Sequence, residues 1–334
     1  MTVYLTMSPI LLNEADVRAV LPMPDLINAM ARALEAYSSG RVVQPVRTVL
    51  EIGADKNYFG VMPASLDDPP AVGAKLVTVY HHNHARGLPS HLATIVLFDR
   101  DTGALAALLD GRYITEARTA AVSAVSVQHL AREGATVLGI VGSGVQARSH
   151  LDAIRHVATL TDVRVWSPDP SRRERFAREA AAETALPVRA VADAASAVRG
   201  ADIVVLATSS RVPVVVDADI ADGTHIAAVG ACRPDQREMP TALIKRAGVY
   251  VDARAGASKE SGDLLLPIGE GAIGPGHVRG ELGEVVAGRA PGRQSKTEVT
   301  IFKSLGMAVE DVAAARLVVD RARDKNLGRH FSIG

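Results

Sequence analysis

"VLGIVGSGVQARSH", Val137 to His150, carries an apolar run straight into Gly142-Ser143-Gly144-Val145-Gln146-Ala147. This hexapeptide fits G-x-G-x-x-G/A, with alanine in the third glycine's place. Glycines let a chain turn sharply and bring amide N–H groups close to a pyrophosphate, and a helix starting at the turn aims the positive end of its dipole at the same charge. The next residues supply that helix, since Ala147, Leu151 and Ile154 fall on one apolar stripe. Strand, glycine turn and helix in this order predict a dinucleotide site at Gly142, Gly144, Val145 and Gln146. The competing reading is a plain tight strand-to-helix turn.

Downstream, apolar runs at Val163–Trp166, Ile203–Ala207, His225–Val229 and Val249–Val251 alternate with helix-compatible segments. That alternation predicts a parallel sheet with crossover helices. The second run closes on Ser167-Pro168-Asp169-Pro170-Ser171-Arg172-Arg173. A carboxylate at the first position would accept from a ribose 2′-hydroxyl and repel a 2′-phosphate. Ser167 with Arg172 or Arg173 accepts the phosphate instead, which favours NADP(H) over NAD(H). The alternative gives the acid's part to Asp169 and leaves the arginines on a helix surface. Gly269 to Gly280 reads as a glycine-rich loop.

Upstream the texture differs. Ile27, Met30, Leu34 and Tyr37 lie at helical spacing after Pro24-Asp25, and β-like runs follow at Thr48–Ile52, Ala74–Tyr80 and Thr94–Asp99. Ile114 to Ala131 is alanine-rich and free of breakers, a helix leading to a boundary near 125–135. The stretch "EVTIFKSLGMAVEDVAAARLVVDRAR" adds a strand-like run and a long amphipathic helix bearing Val309, Val312, Ala313 and Leu317. The fold class is α/β: a Rossmann-type parallel-sheet domain over 126–305, and an α+β domain over 1–125 completed by a C-terminal helix within 306–334.

With 334 residues the chain has room for two cores, and 37 Lys plus Arg against 37 Asp plus Glu leave no overall field for nucleic acid or a membrane surface. The lone Cys232 excludes an intramolecular disulfide framework and suits a reducing compartment. The opening "MTVYLTMSPILLNEADV" lacks a cationic leader, and no apolar run approaches the roughly 18 to 20 residues of a membrane helix. These features predict a soluble cytoplasmic protein whose partner is a small molecule. The run His81-His82-Asn83-His84 invites a metal. Adjacent histidines on a strand face opposite ways, however, and no further His/Cys set completes a site, so a polar patch is expected and no metal.

Seven phrases carry a resemblance that spans the chain: "QPVRT" (44–48), "GAKLVTVY" (73–80), "RGLPS" (86–90), "LDGRYITEARTAA" (109–121), "VGSGVQA", "GACRPDQRE" (230–238) and "ELGEVVAGRAPGR" (281–293). With "TIFKSLGMAVEDVAAA" (300–315) they identify a chain similar to the ornithine cyclodeaminase/μ-crystallin family. The resemblance implies a homodimer built through the non-Rossmann domain. It also implies that Arg47, Lys75 and Arg118 meet a substrate carboxylate with Leu305 beside them, Lys75 being the catalytic candidate. Ser90, Arg118, Thr119, Val145, Gln146, Thr208 and Ser304 would line the cofactor. Arg118 is read as standing near the start of its helix, where a cation opposes the macrodipole by roughly 0.3 to 1 kcal/mol until an anion arrives. On that reading it serves the substrate rather than the fold, and methionine in its place leaves stability nearly unchanged.

One departure separates branches of the family. Cyclodeaminases resemble one another in a Gly-Gly-Asp loop whose aspartate handles protons at the amine, whereas this chain has Gly230-Ala231-Cys232, then Arg233-Pro234-Asp235. That form resembles the ketimine (Δ1-pyrroline-2-carboxylate) reductases. The expected activity is NAD(P)H-dependent reduction of a cyclic α-imino acid, yielding L-proline or L-pipecolate and so belonging to proline metabolism. Ornithine cyclisation, alanine-type dehydrogenation and a non-enzymatic μ-crystallin-like binding role are the alternatives. Cys232 is read as a small buried apolar residue, and Asp235 and Glu238 as groups that cap or brace the loop.

Overall fold

The computed structural model describes residues 8–332 except Lys56 and His81, and the backbone alone of His84. His81, and the first seven residues of the opening stretch, therefore lie outside the described residues. In chain order the elements begin with β1 (Ile10–Leu12), α1 (Glu14–Val20), α2 (Met23–Ser38), β2 (Val42–Val43), β3 (Thr48–Ile52), β4 (Asn57–Leu66), β5 (Ala71–Val79), β6 (His91–Phe98), β7 (Leu105–Asp110) and α3 (Arg112–Leu130). Next come β8 (Val137–Val141), α4 (Val145–Ile154), β9 (Asp162–Trp166), α5 (Pro170–Thr184), β10 (Val188–Ala190), α6 (Ala194–Val198), β11 (Ile203–Leu206) and β12 (His225–Ala228). The chain closes with α7 (Thr241–Arg246), β13 (Gly248–Val251), α8 (Arg254–Glu260), α9 (Gly262–Gly269), β14 (Val278–Glu281), α10 (Leu282–Val286), β15 (Thr300–Lys303), α11 (Ala308–Asp324) and β16 (Arg329–His330). Two compact units divide it: Met1–Arg118 with Met307–Gly334, and Thr119–Gly306.

In the first unit, strands run in the order β16-β1-β7-β6-β5-β4-β2, with β3 also on β4. Pairing from β4 through β7 is antiparallel, so alternate residues share a face. Met62, Ala64, Val77, Ile95, Leu97, Ala107 and Leu109 make the buried face, and α11 packs on β4, β5 and β6, with α2 against α11. The opposite face is also apolar, with Phe59, Val61, Val72, Leu76, Val96 and Leu108 left half-open to solvent. This two-sided character explains why β4 is hard to read from sequence: it lacks the apolar–polar alternation of a one-sided strand and contains Gly60 and Pro63. Pro63 is tolerated because it falls between the last residue paired with β3, Val61, and the first paired with β2, Ser65.

The second unit is a parallel sheet in the order β10-β9-β8-β11-β12-β15-β13-β14. The strands β8, β11, β12, β13 and β15 are buried almost throughout, as a sheet covered on both faces requires, whereas β9, β10 and β14 carry Arg164, Arg189 and Arg279 and are more open. The glycine-rich stretch 269–280 is not loop throughout, because Val278–Glu281 pairs in parallel with β13. Two buried histidines serve this core as neutral rings. His150 meets the Gln146 carbonyl at 2.7 Å and Ser123 Oγ at 2.9 Å, while His225 lies 3.0 Å from both Ser126 Oγ and Thr300 Oγ1. Burial pushes the first down to about 4 and the second to about 3.

Candidate active site

Lys75 points to the buried face of its sheet, between Met62 on β4 and Ile95 on β6, with 2% of its surface exposed. Against that face lies the first turn of α11, whose Glu310 and Asp311 are fully buried at the helix end where the dipole favours anions. Asp311 Oδ2 stands 2.6 Å from Lys75 Nζ, and its Oδ1 accepts from Arg118 Nε at 3.0 Å. Glu310 Oε2 accepts from Arg118 Nη1 at 2.7 Å and from the Met307 N–H at 3.1 Å. Burial lowers Lys75 to about 8; Asp311 opposes the shift, and Arg118 and Arg47 add to it. Burial by itself would raise Asp311, but Arg118 and Lys75 hold it below the usual carboxylate range.

This cluster corrects the reading of Arg118. The helix begins at Arg112, with Asp110 Oδ1 accepting from the Arg112 and Tyr113 N–H groups, so Arg118 lies beyond the first turn, where the dipole has faded. Two buried carboxylates already answer its charge, so methionine in its place is expected to cost stability. Arg47, partly buried just before β3, adds its field at Lys75. Ser90 precedes β6, and its carbonyl accepts from the Tyr80 N–H at 2.8 Å. His91, passed over in the sequence, shares the strand face of Ile95. Burial, then Lys75 and Arg118, push it down to about 4, which leaves it neutral. His82 and Asn83 are not on a strand at all: Asn83–Arg86 is a 3-10 turn, with Asn83 Nδ2 donating to the Pro89 carbonyl at 2.9 Å.

In the second unit the strand order reverses between β8 and β11, and ligands of open α/β sheets sit beyond the carboxyl ends of the strands at such a point. Gly142 has φ of +126°, and a Cβ there would lie 2.5 Å from the Ala207 carbonyl oxygen, so only glycine fits. Gly144 caps α4 with no side chain bonding the helix end, and open space surrounds its missing Cβ. Val145 stands half-exposed, and Gln146 Oε1 is buried with no hydrogen-bond partner among the described residues. An uncapped helix start, a bare glycine and an orphaned buried acceptor suit a dinucleotide. After β9, Ser143 Oγ donates to Ser167 Oγ at 2.8 Å, Arg173 Nη1 donates to the Ser167 carbonyl at 2.9 Å, and Asp169 caps α5 while pairing with the exposed Arg172 at 3.3 Å.

Thr119, nearly buried, follows Arg118 on α3. Thr208 follows β11, and one buried carboxylate ties it to the loop after β12. Glu238 Oε1 accepts from Thr208 N–H at 2.7 Å and Oγ1–H at 2.8 Å, and its Oε2 accepts from the N–H groups of Gly230 at 2.8 Å and Ala231 at 3.3 Å. Burial, then Asp263, push Glu238 above its ordinary value against the pull of Lys303 and Thr208, while the four donors aimed at the carboxylate favour its anion. Asp263 accepts from the Glu238 and Met239 N–H groups and stands 3.1 Å from the fully buried Lys303. Cys232, partly buried, donates to the Val229 carbonyl at 3.3 Å, and Asp235 pairs with Arg211 at 3.5 Å. Ser304 Oγ is buried without a hydrogen-bond partner among the described residues, and Asp252 Oδ2 accepts from both Leu305 and Gly306 N–H groups at 2.6 Å. Among the described residues, no group of three or more His, Cys, Asp or Glu is placed to hold a metal, and no helix is long and apolar enough to cross a membrane.

A parallel sheet with a dinucleotide-type turn in one unit, and in the other an α+β fold holding buried cations on carboxylates, define the class: a two-unit α/β protein built like the nucleotide-linked oxidoreductases. The chain belongs to the ornithine cyclodeaminase/μ-crystallin family, whose model matches residues 7–326. It is 43% identical to ketimine reductase mu-crystallin of Rattus norvegicus over 298 residues, 88% of this chain and 91% of that one. Among solved structures it matches the Thermococcus litoralis Δ1-pyrroline-2-carboxylate reductase in complex with NADH and L-proline, with a TM-score of 0.94 and 36% identity, covering 96% of this chain and 100% of that one. An archaeal alanine dehydrogenase dimer with bound NAD matches with a TM-score of 0.93 and 31% identity, over 98% and 100% of the respective chains.

Proposed function

We propose that the protein is an NAD(P)H-dependent reductase of cyclic α-imino acids, converting Δ1-pyrroline-2-carboxylate to L-proline or its six-membered homologue to L-pipecolate. Relatives named for this chemistry match almost the whole chain. The observation that selects it over cyclodeamination is the loop after β12. Cys232 is turned to a backbone carbonyl there, and the carboxylates behind it, Glu238 and Asp263, are engaged by backbone N–H groups and Lys303. Loss of ammonia from an amine needs a proton acceptor, and the loop's remaining carboxylate, Asp235, pairs with Arg211 at 3.5 Å three residues past the position that Cys232 fills.

When bound, the nicotinamide supplies a hydride to the imine carbon. The unit of residues 119–306 holds the dinucleotide: Gly142, Gly144, Val145 and Gln146 at the pyrophosphate, Ser167 and Arg172 at the ribose, Thr119, Thr208 and Ser304 along the remainder, with Leu305 toward the substrate. Ser90 is assigned to the cofactor and Arg47, Lys75 and Arg118 to the substrate carboxylate, the guanidinium offering paired N–H donors and the ammonium a compact charge. Lys75 Nζ, poised near about 8, carries its proton at neutral pH and gives it to the imine nitrogen. Ser167, with no carboxylate in its place, favours NADPH. The apolar outer face of the first unit's sheet fits a second copy of the chain, and a homodimer is the assembly we assign. The single cysteine supports a reducing, cytoplasmic setting.

The test is an initial-rate panel of pyrroline and piperideine carboxylates, pyruvate with ammonia, and ornithine, each with both cofactors. Cofactor consumption with the cyclic imino acids and little ammonia from ornithine is expected. Efficient conversion of ornithine to proline with inert imino acids would restore the cyclodeaminase. In the same panel Ser167→Asp should reverse a preference for NADPH; an unmodified protein that uses NADH equally well would remove that part of the reading.

A further inference from the structure

We infer that Asp311 is a positioning residue for the reduction: one buried carboxylate, 2.6 Å from Lys75 Nζ and 3.0 Å from Arg118 Nε, sets the spacing of both cations and keeps the charge on Lys75. The inference rests on the reductase reading of Lys75. The charges around that lysine come from four directions. From α11 come Asp311 and Glu310, from α3 Arg118, from the segment before β3 Arg47, and from β6 His91, whose ring is neutral. The flanking residues on β4 and β5's other neighbour, Met62 and Ile95, are apolar. Two of the charged neighbours are cations that oppose an ammonium. The Glu310 contacts to Arg118 and the Met307 N–H draw that carboxylate toward the guanidinium. Asp311 is the anion at contact distance from Lys75, and each of its oxygens faces a different cation.

An aspartate at this place does what a neutral acceptor cannot. Oδ1 accepts a hydrogen bond from Arg118 and Oδ2 is in ion-pair contact with Lys75, which fixes the separation of two groups that must meet the two oxygens of one small carboxylate. Its negative charge also offsets the desolvation of a buried ammonium, which otherwise releases its proton. The first turn of α11 supports the anion in return.

The experiment is the pH profile of kcat/KM for Δ1-pyrroline-2-carboxylate in wild type, Asp311→Asn, Asp311→Glu and Glu310→Gln. Wild type should lose activity as pH rises through about 8. In Asp311→Asn that alkaline limb should move toward acid by about one to three units, the effect of removing an opposite charge at this distance, with activity partly recovered at mildly acid pH. Asp311→Glu keeps the charge and should return the limb toward its wild-type position at reduced kcat. Glu310→Gln should raise KM through Arg118 and leave the limb in place. An unmoved limb in Asp311→Asn overturns the inference, as does an equal shift in Glu310→Gln, or failure of both Asp311 variants to fold, which would mark a purely structural residue. Should the Asn variant alone not fold, the limb of the Glu variant decides: wild-type position supports the inference, and displacement by more than about one unit overturns it. A wild-type protein inert toward both imino acids fails the reductase reading itself, before any variant is compared.

Discussion

Replacing Glu238 by glutamine changes one oxygen to an amide and leaves the shape almost intact. Either amide orientation turns N–H donors toward N–H donors: against Gly230 and Ala231 on one side, or against the Thr208 N–H on the other. The loss is then at least one, and up to two, hydrogen bonds to a charged acceptor, each worth roughly 1.5 to 3 kcal/mol, with a buried donor left unsatisfied. The backbones of Gly230 and Thr208 approach closely, since a Cβ at Gly230 would lie 1.9 Å from the Thr208 carbonyl oxygen, which leaves the donors little room to shift. We expect the unfolding free energy to fall by about 3 kcal/mol in urea titrations. Because Thr208 and the loop after β12 move together, the affinity for NADPH, read by its fluorescence, should weaken while Δ1-pyrroline-2-carboxylate KM at saturating cofactor changes less. A variant within about 1 kcal/mol of wild type would refute the view that this carboxylate holds the corner as an anion.

Other outcomes follow from the same structure. Arg118→Met takes one partner from each of two buried carboxylates and should cost about 3 to 5 kcal/mol in chemical denaturation; a loss within experimental error would return Arg118 to a purely substrate-facing role. Lys75 is pushed down to about 8, so between that value and its ordinary 10.5 the unfolded chain binds more protons than the folded one, and wild-type stability should rise with pH by about 3 kcal/mol across that window. Lys75→Met should erase this rise, and an identical slope in both proteins would contradict it. Leu76→Glu places a charge on the outer sheet face and should yield a monomer by light scattering if a second copy covers that face; an unchanged mass would argue for another assembly.

Much of the second unit was legible because parallel strands buried on both faces are continuous apolar runs, and because glycine at 142 is enforced by its backbone. Runs such as Ile203–Ala207 and His225–Val229 fall within a residue of β11 and β12. The first unit was less legible. β4 hides behind its two apolar faces, and β7 behind a run of alanine and leucine that suits helix or strand alike. Lys75 and Arg118 stood out through the resemblance alone; periodicity reveals neither. What no local pattern carried is the counter-charge. Glu310 and Asp311 look like the ordinary acidic first turn of a helix, and their burial against Lys75 and Arg118 depends on contacts nearly two hundred residues apart in the chain. The place of Glu238 in its loop marks it as a brace, but its partners Asp263 and Lys303 give no signal, because a buried ion pair leaves no period in a sequence.

The neutral histidines of the second unit set how the molecule meets acid. Unfolded, each would take up a proton near 6.5; folded, His150 resists until about 4 and His225 until about 3. Their contribution is complete above 6.5 and disappears as pH falls through the folded values, roughly 3 kcal/mol for His150 and roughly 5 kcal/mol for His225. Acid therefore acts as a ligand of the unfolded chain, drawn by sites that lie inside the sheet core and not on its surface. His150 Nδ1–H donates to the Gln146 carbonyl in either charge state, so the incoming proton falls on Nε2 and must reverse the hydrogen bond from Ser123 Oγ that ties α4 to α3. Trp166, the chain's one tryptophan, sits on β9 with its indole N–H on the Ala192 carbonyl at 3.2 Å, so the emission of this single ring reports acid opening from within the same sheet.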